Sequence, residues 1–231
     1  MITLSPRLEA AAGYARAGRF AADVGTDHAF LPVALVERGI SRGAVASDIN
    51  RGPLERARKN IAAAGLDGKI STVLTDGLNG LAPFAPEDIF ILGMGGELIA
   101  QILSASDLPR AEGTRLILQP MTHAQDLRAY LAGAGFATRD EVLVRDASGE
   151  RERIYQVLCA EYDGEARAFT PAELVLGKGN IARADAVTAE YAAYVCGVYR
   201  VRAEGLTRAG RDASAELELI RELEEIIHDC K

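Results

Sequence analysis

The segment Phe20-Ala21-Ala22-Asp23-Val24-Gly25-Thr26-Asp27-His28 decides how this chain is read. A short strand-like run ends in an acidic residue and a glycine, and a helix is predicted to follow. Glycine suits such a turn because the backbone must bend sharply and approach a ligand with no Cβ in the way. The dinucleotide fingerprint G-x-G-x-x-G is absent, since Asp27 and Phe30 stand at its later glycine positions. That weighs against NAD or FAD. An acidic-x-Gly turn suits S-adenosylmethionine better, because this cofactor carries a cationic sulfonium and ammonium and no pyrophosphate.

Outward from this segment, to about residue 161, short β-rich runs alternate with helical stretches, the pattern of parallel strands joined by crossover helices. Strands are predicted over Phe20–Val24, Ala44–Ser47, Ile70–Leu74, Ile89–Leu92, Leu116–Leu118, Glu141–Arg145 and Ile154–Ala160. The last two are separated only by Asp146-Ala147-Ser148-Gly149-Glu150, so they are expected to form an antiparallel hairpin at one edge. The fold class is therefore α/β: a Rossmann-like class I methyltransferase with a seven-stranded sheet whose last hairpin is antiparallel.

Near Asp163-Gly164-Glu165 the strand pattern stops, and Thr170-Pro171-Ala172-Glu173 reads as a capping box with proline at the first helical position. Val187, Tyr191, Tyr194, Val198 and Val201 then mark one apolar stripe on a long helix, and Leu219, Leu223, Ile226 and Cys230, joined by Ile220 and Ile227, mark a second. The expected organisation is a methyltransferase domain over 1–163 and a coiled-coil-like helical hairpin over 164–231. Two faces with few aromatics make a thin core, so the hairpin is expected as a packed arm rather than an independent domain.

Two further strand tips are acidic. Asp48, 23 residues beyond Gly25, is placed to accept hydroxyls of a bound ribose, although by itself it also suits a helix cap before Arg51. Asp76-Gly77 is placed to hold an adenine edge, although Asp-Gly is also a common turn pair. Three acidic tips on three successive strands are harder to explain as three independent turns. The fourth strand runs into Gly93-Met94-Gly95-Gly96, whose glycines leave the backbone open to a flat base with Met94 as an apolar contact. Gln119-Pro120 at the fifth tip offers an amide for the base edge. His28, His123 and His228 lack ligand spacing and no serine sits in a nucleophile elbow, so no metal is expected. His28 is read either as a pocket residue or as a helix-start histidine bonded to backbone.

Of the 231 residues, 48% are hydrophobic and 26% charged, and no apolar run reaches the roughly 18 residues of a membrane helix. A membrane protein and a disordered chain are thereby excluded. The start of the chain lacks the features of a secretory signal, so a cytoplasmic location is expected. Cys159, Cys196 and Cys230 are too scattered for a disulfide framework. The net charge of −7 argues against a nucleic-acid binder of the usual basic kind. Two local clusters nevertheless stand out: Arg51, Arg56, Arg58 and Lys59, and then Arg200, Arg202, Arg208 and Arg211. They read either as phosphate contacts or as solvated helix faces.

Several blocks together resemble the bacterial tRNA (adenine-N1)-methyltransferases that act on adenosine 22. These are Leu4-Ser5-Pro6-Arg7-Leu8, Asp23 to Pro32, Asp76-Gly77-Leu78, Gly93-Met94-Gly95-Gly96 and Leu116-Ile117-Leu118-Gln119-Pro120. Met121 departs from the asparagine that follows in that family. The resemblance implies methyl transfer from S-adenosylmethionine to N1 of an adenine in tRNA. It implies a cofactor loop of Asp23, Gly25, Thr26, Asp27 and His28, with Asp48 at the ribose, Asp76 and Gly77 at the cofactor adenine, and Ile49 as a further cofactor contact. Gly93, Met94 and Gly95 would border cofactor and target, and Arg7 would close over the methionine carboxylate. Asp27 is the expected catalytic carboxylate, and Gln119, Pro120, Arg51, Arg56, Arg58 and Lys59 the expected substrate contacts. The competing expectations are a methyltransferase for a small molecule or protein, and a cofactor-binding module without catalysis. The oligomeric state is left open.

Overall fold

Strand residues alternate between two buried faces, and helices cover both. In the computed structural model, which describes residues 2–149 and 151–230, β4 (Asp88–Gly95) turns Phe90 to one side and Ile89 and Ile91 to the other. Met1, the Glu150 of the predicted hairpin turn and the arm's Lys231 lie outside the described residues. Phe90 meets α1 (Pro6–Gly13) and α2 (Phe30–Glu37) with α3 (Arg51–Ala63); Ile89 and Ile91 meet α4 (Gly96–Ser104) and α5 (Ala124–Gly133). Burial on both faces is why the strands read as continuous apolar runs. The helix α1 was not anticipated; Pro6 at its first turn supplies the fixed φ that starts it.

The remaining strands are β1 (Phe20–Val24), β2 (Gly43–Asp48), β3 (Ile70–Leu74), β5 (Arg115–Thr122), β6 (Phe136–Asp146) and β7 (Arg153–Tyr162). Their order is β3-β2-β1-β4-β5-β7-β6. Five parallel strands are followed by the antiparallel hairpin, and β7 inserts between β5 and β6. The tips of β1 to β5 consequently form one carboxyl edge, where open α/β sheets bind ligands.

Beyond the sheet come α6 (Pro171–Leu176), α7 (Lys178–Arg183) and an antiparallel pair, α8 (Ala186–Arg208) and α9 (Ser214–Asp229). The predicted capping box is present: Glu173 N–H donates to Thr170 Oγ1 at 3.2 Å, and Thr170 N–H donates to the Glu173 carboxylate at 3.0 Å. The α9 stripe through Leu219, Ile220 and Leu223 is buried as expected. The α8 stripe is not. Tyr194, Val198 and Val201 are 66%, 50% and 71% exposed, and the seam with α9 runs instead through Ala192, Val195, Cys196 and Ala203. Small residues let the two helices approach closely, and this turns the bulkier stripe outward.

The arm is tied to the sheet layer by buried polar groups. Arg128 on α5 is 1% exposed and donates to Glu141 on β6, which is 2% exposed, at 3.0 and 2.6 Å. The same guanidinium reaches the carbonyl of Leu174 at 2.9 Å, and Gln156 on β7 donates to the Tyr191 hydroxyl at 2.8 Å.

Candidate active site

The parallel register brings the first three acidic tips side by side. Gly25 N–H and Thr26 N–H both donate to the Ser47 carbonyl at 2.8 Å, which pins the first turn to the end of β2. Gly25 has φ +78°, and a Cβ there would lie 2.1 Å from Met94 Cε. The β1 turn and the Gly93-Met94-Gly95 segment are therefore in direct contact, so a cofactor loop and a base-bordering loop share one edge.

Asp23 is buried, and burial pushes its carboxyl up to about 6; a hydrogen bond with Thr26 opposes this and the charge of Asp48 adds to it. Asp48 is half-buried, and its Oδ1 accepts from Asn50 N–H at 2.6 Å, a local turn bond rather than a helix cap. Ile49 is 62% exposed beside it. Asp76 is exposed, and Gly77, at φ +56°, backs onto Ile102 of α4. A cationic group and vicinal hydroxyls would satisfy this set, because Asp23 and Asp48 have no protein cation between them among the described residues. The residues present thus fit an S-adenosylmethionine-like nucleoside.

At the next two tips the structure corrects one expectation. Gln119 is 1% exposed, and its amide is committed: Oε1 accepts from Arg7 Nη1 at 3.0 Å, and Nε2 donates to the Pro120 carbonyl at 3.0 Å and to Met121 Sδ at 3.4 Å. It is not free to read a base edge. It positions Arg7 instead, whose Nη1 stands 4.0 Å from where a Cβ on Gly93 would be. Asp146 accepts from Arg7 N–H at 3.3 Å, and Tyr155 lies 5.7 Å below the guanidinium. Desolvation works to raise Asp146, yet hydrogen bonds from Ser148 and Arg7 hold it down at about 2, so it stays a carboxylate. Asp146 and Tyr155 were missed in the sequence because each lies well over 100 positions from Arg7.

Asp27 is exposed and sits between two partners, His28 Nε2 at 3.1 Å and the Arg56 guanidinium. His28 also stacks on Phe30 with ring centroids 4.9 Å apart, and its carbonyl accepts from Asn60 at 2.8 Å. Arg56 was expected on phosphate; an ion pair with Asp27 occupies it instead, since one helical turn into α3 it faces the β1 loop. Arg58 donates to Thr72 Oγ1 at 2.8 Å. Arg51 and Lys59 are exposed and make no side-chain hydrogen bond or ion pair among the described residues. On the arm, Arg200, Arg202 and Arg208 pair with Glu224, Glu216 and Glu204. Glu97, His123 and Asp126 bring three exposed donor atoms within 4.8 Å of one another, a grouping that the histidine spacing had not suggested.

A cleft of about 780 Å³ opens beside the β5 tip and extends to α8, with Pro120 and Met121 at one end and Tyr194 and Val198 at the other.

This sheet order, with its acidic tips and glycine turn, defines a Rossmann-like methyltransferase, and residues 4–158 match the family model described as a methyltransferase domain. The tRNA (adenine(22)-N(1))-methyltransferase of Bacillus subtilis strain 168 is 37% identical over 176 residues, 76% of this chain and 72% of that protein. The chain belongs to the tRNA (adenine(22)-N(1))-methyltransferase family. The crystal structure of the Bacillus subtilis m1A22 tRNA methyltransferase TrmK is 30% identical, with TM-score 0.81 over 100% of this chain and 98% of that one. A Streptococcus pneumoniae protein crystallised with S-adenosyl-L-methionine is 32% identical, with TM-score 0.78 over 99% of this chain and 100% of its own.

Proposed function

We propose that this chain transfers a methyl group from S-adenosylmethionine to N1 of adenosine 22 in tRNA. The observation that carries the reading is the pair of carboxylates, Asp23 and Asp48, facing a common edge beside the Gly25–Met94 contact without a cation of their own. When bound, S-adenosylmethionine supplies an electrophilic methyl group on a cationic sulfur. Asp23 would hold its ammonium, with Gly25, Thr26 and His28 forming the loop around it; Asp48 would accept the ribose hydroxyls. Ile49, Asp76 and Gly77 would hold the adenine, and Gly93, Met94 and Gly95 would separate cofactor from target. Arg7, held by Gln119 and Asp146, would close the end of the site at β4 and β5, over the methionine carboxylate. Residues 1–163 would form the methyltransferase domain and 164–231 an arm, and the protein would act in the cytoplasm, where tRNA is its partner. No helix among the described residues is long and apolar enough to cross a membrane.

Adenine N1 already carries a lone pair, so the protein's main task is alignment. The ring gains positive charge as the bond forms, and a carboxylate nearby stabilises that charge and can accept an N6 proton afterwards. We assign this to Asp27, with Arg56 and His28 fixing its side chain. Asp27→Ala is then expected to lower kcat by roughly two orders of magnitude, a typical share for a positioned acid–base group. Cofactor affinity should change less than threefold; equal losses in both would make Asp27 a cofactor ligand only.

Arg51 and Lys59 are exposed cations beside the site without a partner among the described residues and are assigned to phosphate. Pro120, at the mouth of the cleft, borders the target base. Reversing both charges, Arg51→Glu with Lys59→Glu, is expected to weaken tRNA binding and to reduce the slope of log affinity against log salt by about two. An unchanged slope would assign these residues to solvent.

The activity itself is tested by transfer of labelled methyl to unmodified bulk tRNA, followed by nuclease digestion. Labelled 1-methyladenosine is the expected product. No label in tRNA, with cofactor binding intact, would overturn the reading and turn the search to small molecules, proteins or a purely binding role.

A further inference from the structure

We propose that the cleft between the β5 tip and α8 is a stacking site for an unpaired nucleoside that neighbours the target adenosine, with Tyr194 as its platform. The proposal rests on the tRNA reading and adds a second base-binding position to it. Four observations carry it. The cleft begins at Pro120, Met121 and Thr122, and Thr122 pairs in register with Gly95 of the candidate active site, so the cleft starts on the strand tip next to that site. Its volume of about 780 Å³ falls in the range of ligand pockets, roughly 300–1,000 Å³, and has room for a nucleoside.

Its far wall is aromatic. Tyr194 is 66% exposed and leads the outward stripe with Val198, next to Tyr191 at 6.2 Å between ring centroids. Tyr194, Val198 and Val201 of this stripe are left exposed, because the small residues of α8 take the seam. Finally, the charge of the lining favours a polyanion even though the whole chain is at −7. Glu152 and Glu190 share the single charge of Arg145, and Arg151 and Arg153, which have no carboxylate partner among the described residues, leave these five groups with a net positive charge. Glu97 and Asp126 stand against His123 and do not line the cleft.

Such a platform answers an energetic need. A target in a folded stem must leave its stack, at a cost of a few kcal/mol. Stacking a neighbour on an aromatic ring offsets that cost without requiring a particular base.

The chain contains no tryptophan, so Tyr194→Trp creates a single fluorescent reporter on an exposed face. Unmodified tRNA is expected to quench it saturably. Tyr194→Ala is expected to raise KM for tRNA roughly tenfold, within the span for loss of one base–aromatic stack, and Tyr194→Phe to restore it. The loss should not appear in cofactor affinity or melting temperature. Absence of quenching, with KM unmoved in an enzyme that still labels tRNA, would overturn the stacking site and leave the activity standing. Quenching by tRNA in a protein that leaves tRNA unlabelled would uphold the site and overturn the activity. A fluorescence change that follows protein concentration without RNA would overturn the proposal in favour of a second copy of the chain on this face.

Discussion

Asp23→Asn is expected to make the cofactor-free protein more stable at pH 7.5 while weakening S-adenosylmethionine binding about a hundredfold. The two effects have one cause. Burial, with the charge of Asp48 adding to it, pushes the Asp23 carboxyl up to about 6, against its ordinary 3.8 in the unfolded chain. Between those two values the folded protein holds a proton that the unfolded chain has released, so stability falls as pH rises through that window and then levels off. Asparagine cannot ionise and escapes this cost, which for about two units amounts to roughly 2–3 kcal/mol. The gain should therefore be present at pH 7.5, shrink as pH falls through 6, and vanish by about pH 4. Binding responds in the opposite sense, because a buried carboxylate deprived of its cationic partner typically loses about 2–5 kcal/mol of interaction when truncated. Denaturant titrations at several pH values and calorimetric titration of the cofactor measure the two arms. A stability difference independent of pH would show that burial does not raise the Asp23 carboxyl, and an affinity within about threefold of wild type would show that Asp23 does not face the cofactor's positive charge.

Arg128→Met is the second large effect: a loss of about 3–5 kcal/mol in unfolding free energy. Methionine matches the length of the arginine stem but leaves Glu141 as a buried carboxylate with Gly179 N–H, at 2.9 Å, as its remaining charge-stabilising donor. It also strips donors from the Leu174 and Val175 carbonyls at the end of α6. Gly177, at φ +90°, packs directly on this carboxylate, and a Cβ there would sit 2.1 Å from Glu141 Oε2. Proteolysis should accelerate in the segment from 164 onward before the sheet opens. Adding Glu141→Gln should recover part of the loss, because the uncompensated charge is then gone. A loss under about 1 kcal/mol would mean that the arm is held by its apolar contacts alone.

What could be read from the sequence was local. Each strand tip carries its own signal, a β-rich run followed by Asp-x-Gly, Asp or Asp-Gly, and all three tips lie where the parallel register demands. The Thr170 capping box is equally local, four residues long. What could not be read depends on partners far away in the chain. Arg56 reads as a free cation until the β1 loop places Asp27 against it, and Gln119 reads as a base-recognition amide until Arg7 occupies it. The α8 stripe failed for a different reason. Hydrophobicity ranks Tyr194 and Val201 above Ala192 and Ala203, but close helix approach favours small side chains, so the seam formed where the sequence looked weaker.

The place of β7 between β5 and β6 sets a timetable for biosynthesis. The chain emerges from the ribosome with β5 and then β6, yet β5 has no neighbour on its outer side until β7, ending at Tyr162, arrives and slides in beside it. Until then Leu116, Ile117 and Leu118 lie on an open, apolar edge of the kind that recruits foreign strands. The Leu174 and Val175 carbonyls that Arg128 bonds lie beyond Tyr162, so the tie between α5 and the arm also comes after the hairpin. The hairpin thus closes the sheet late, and a nascent chain interrupted before β7 leaves β5 as an open apolar edge.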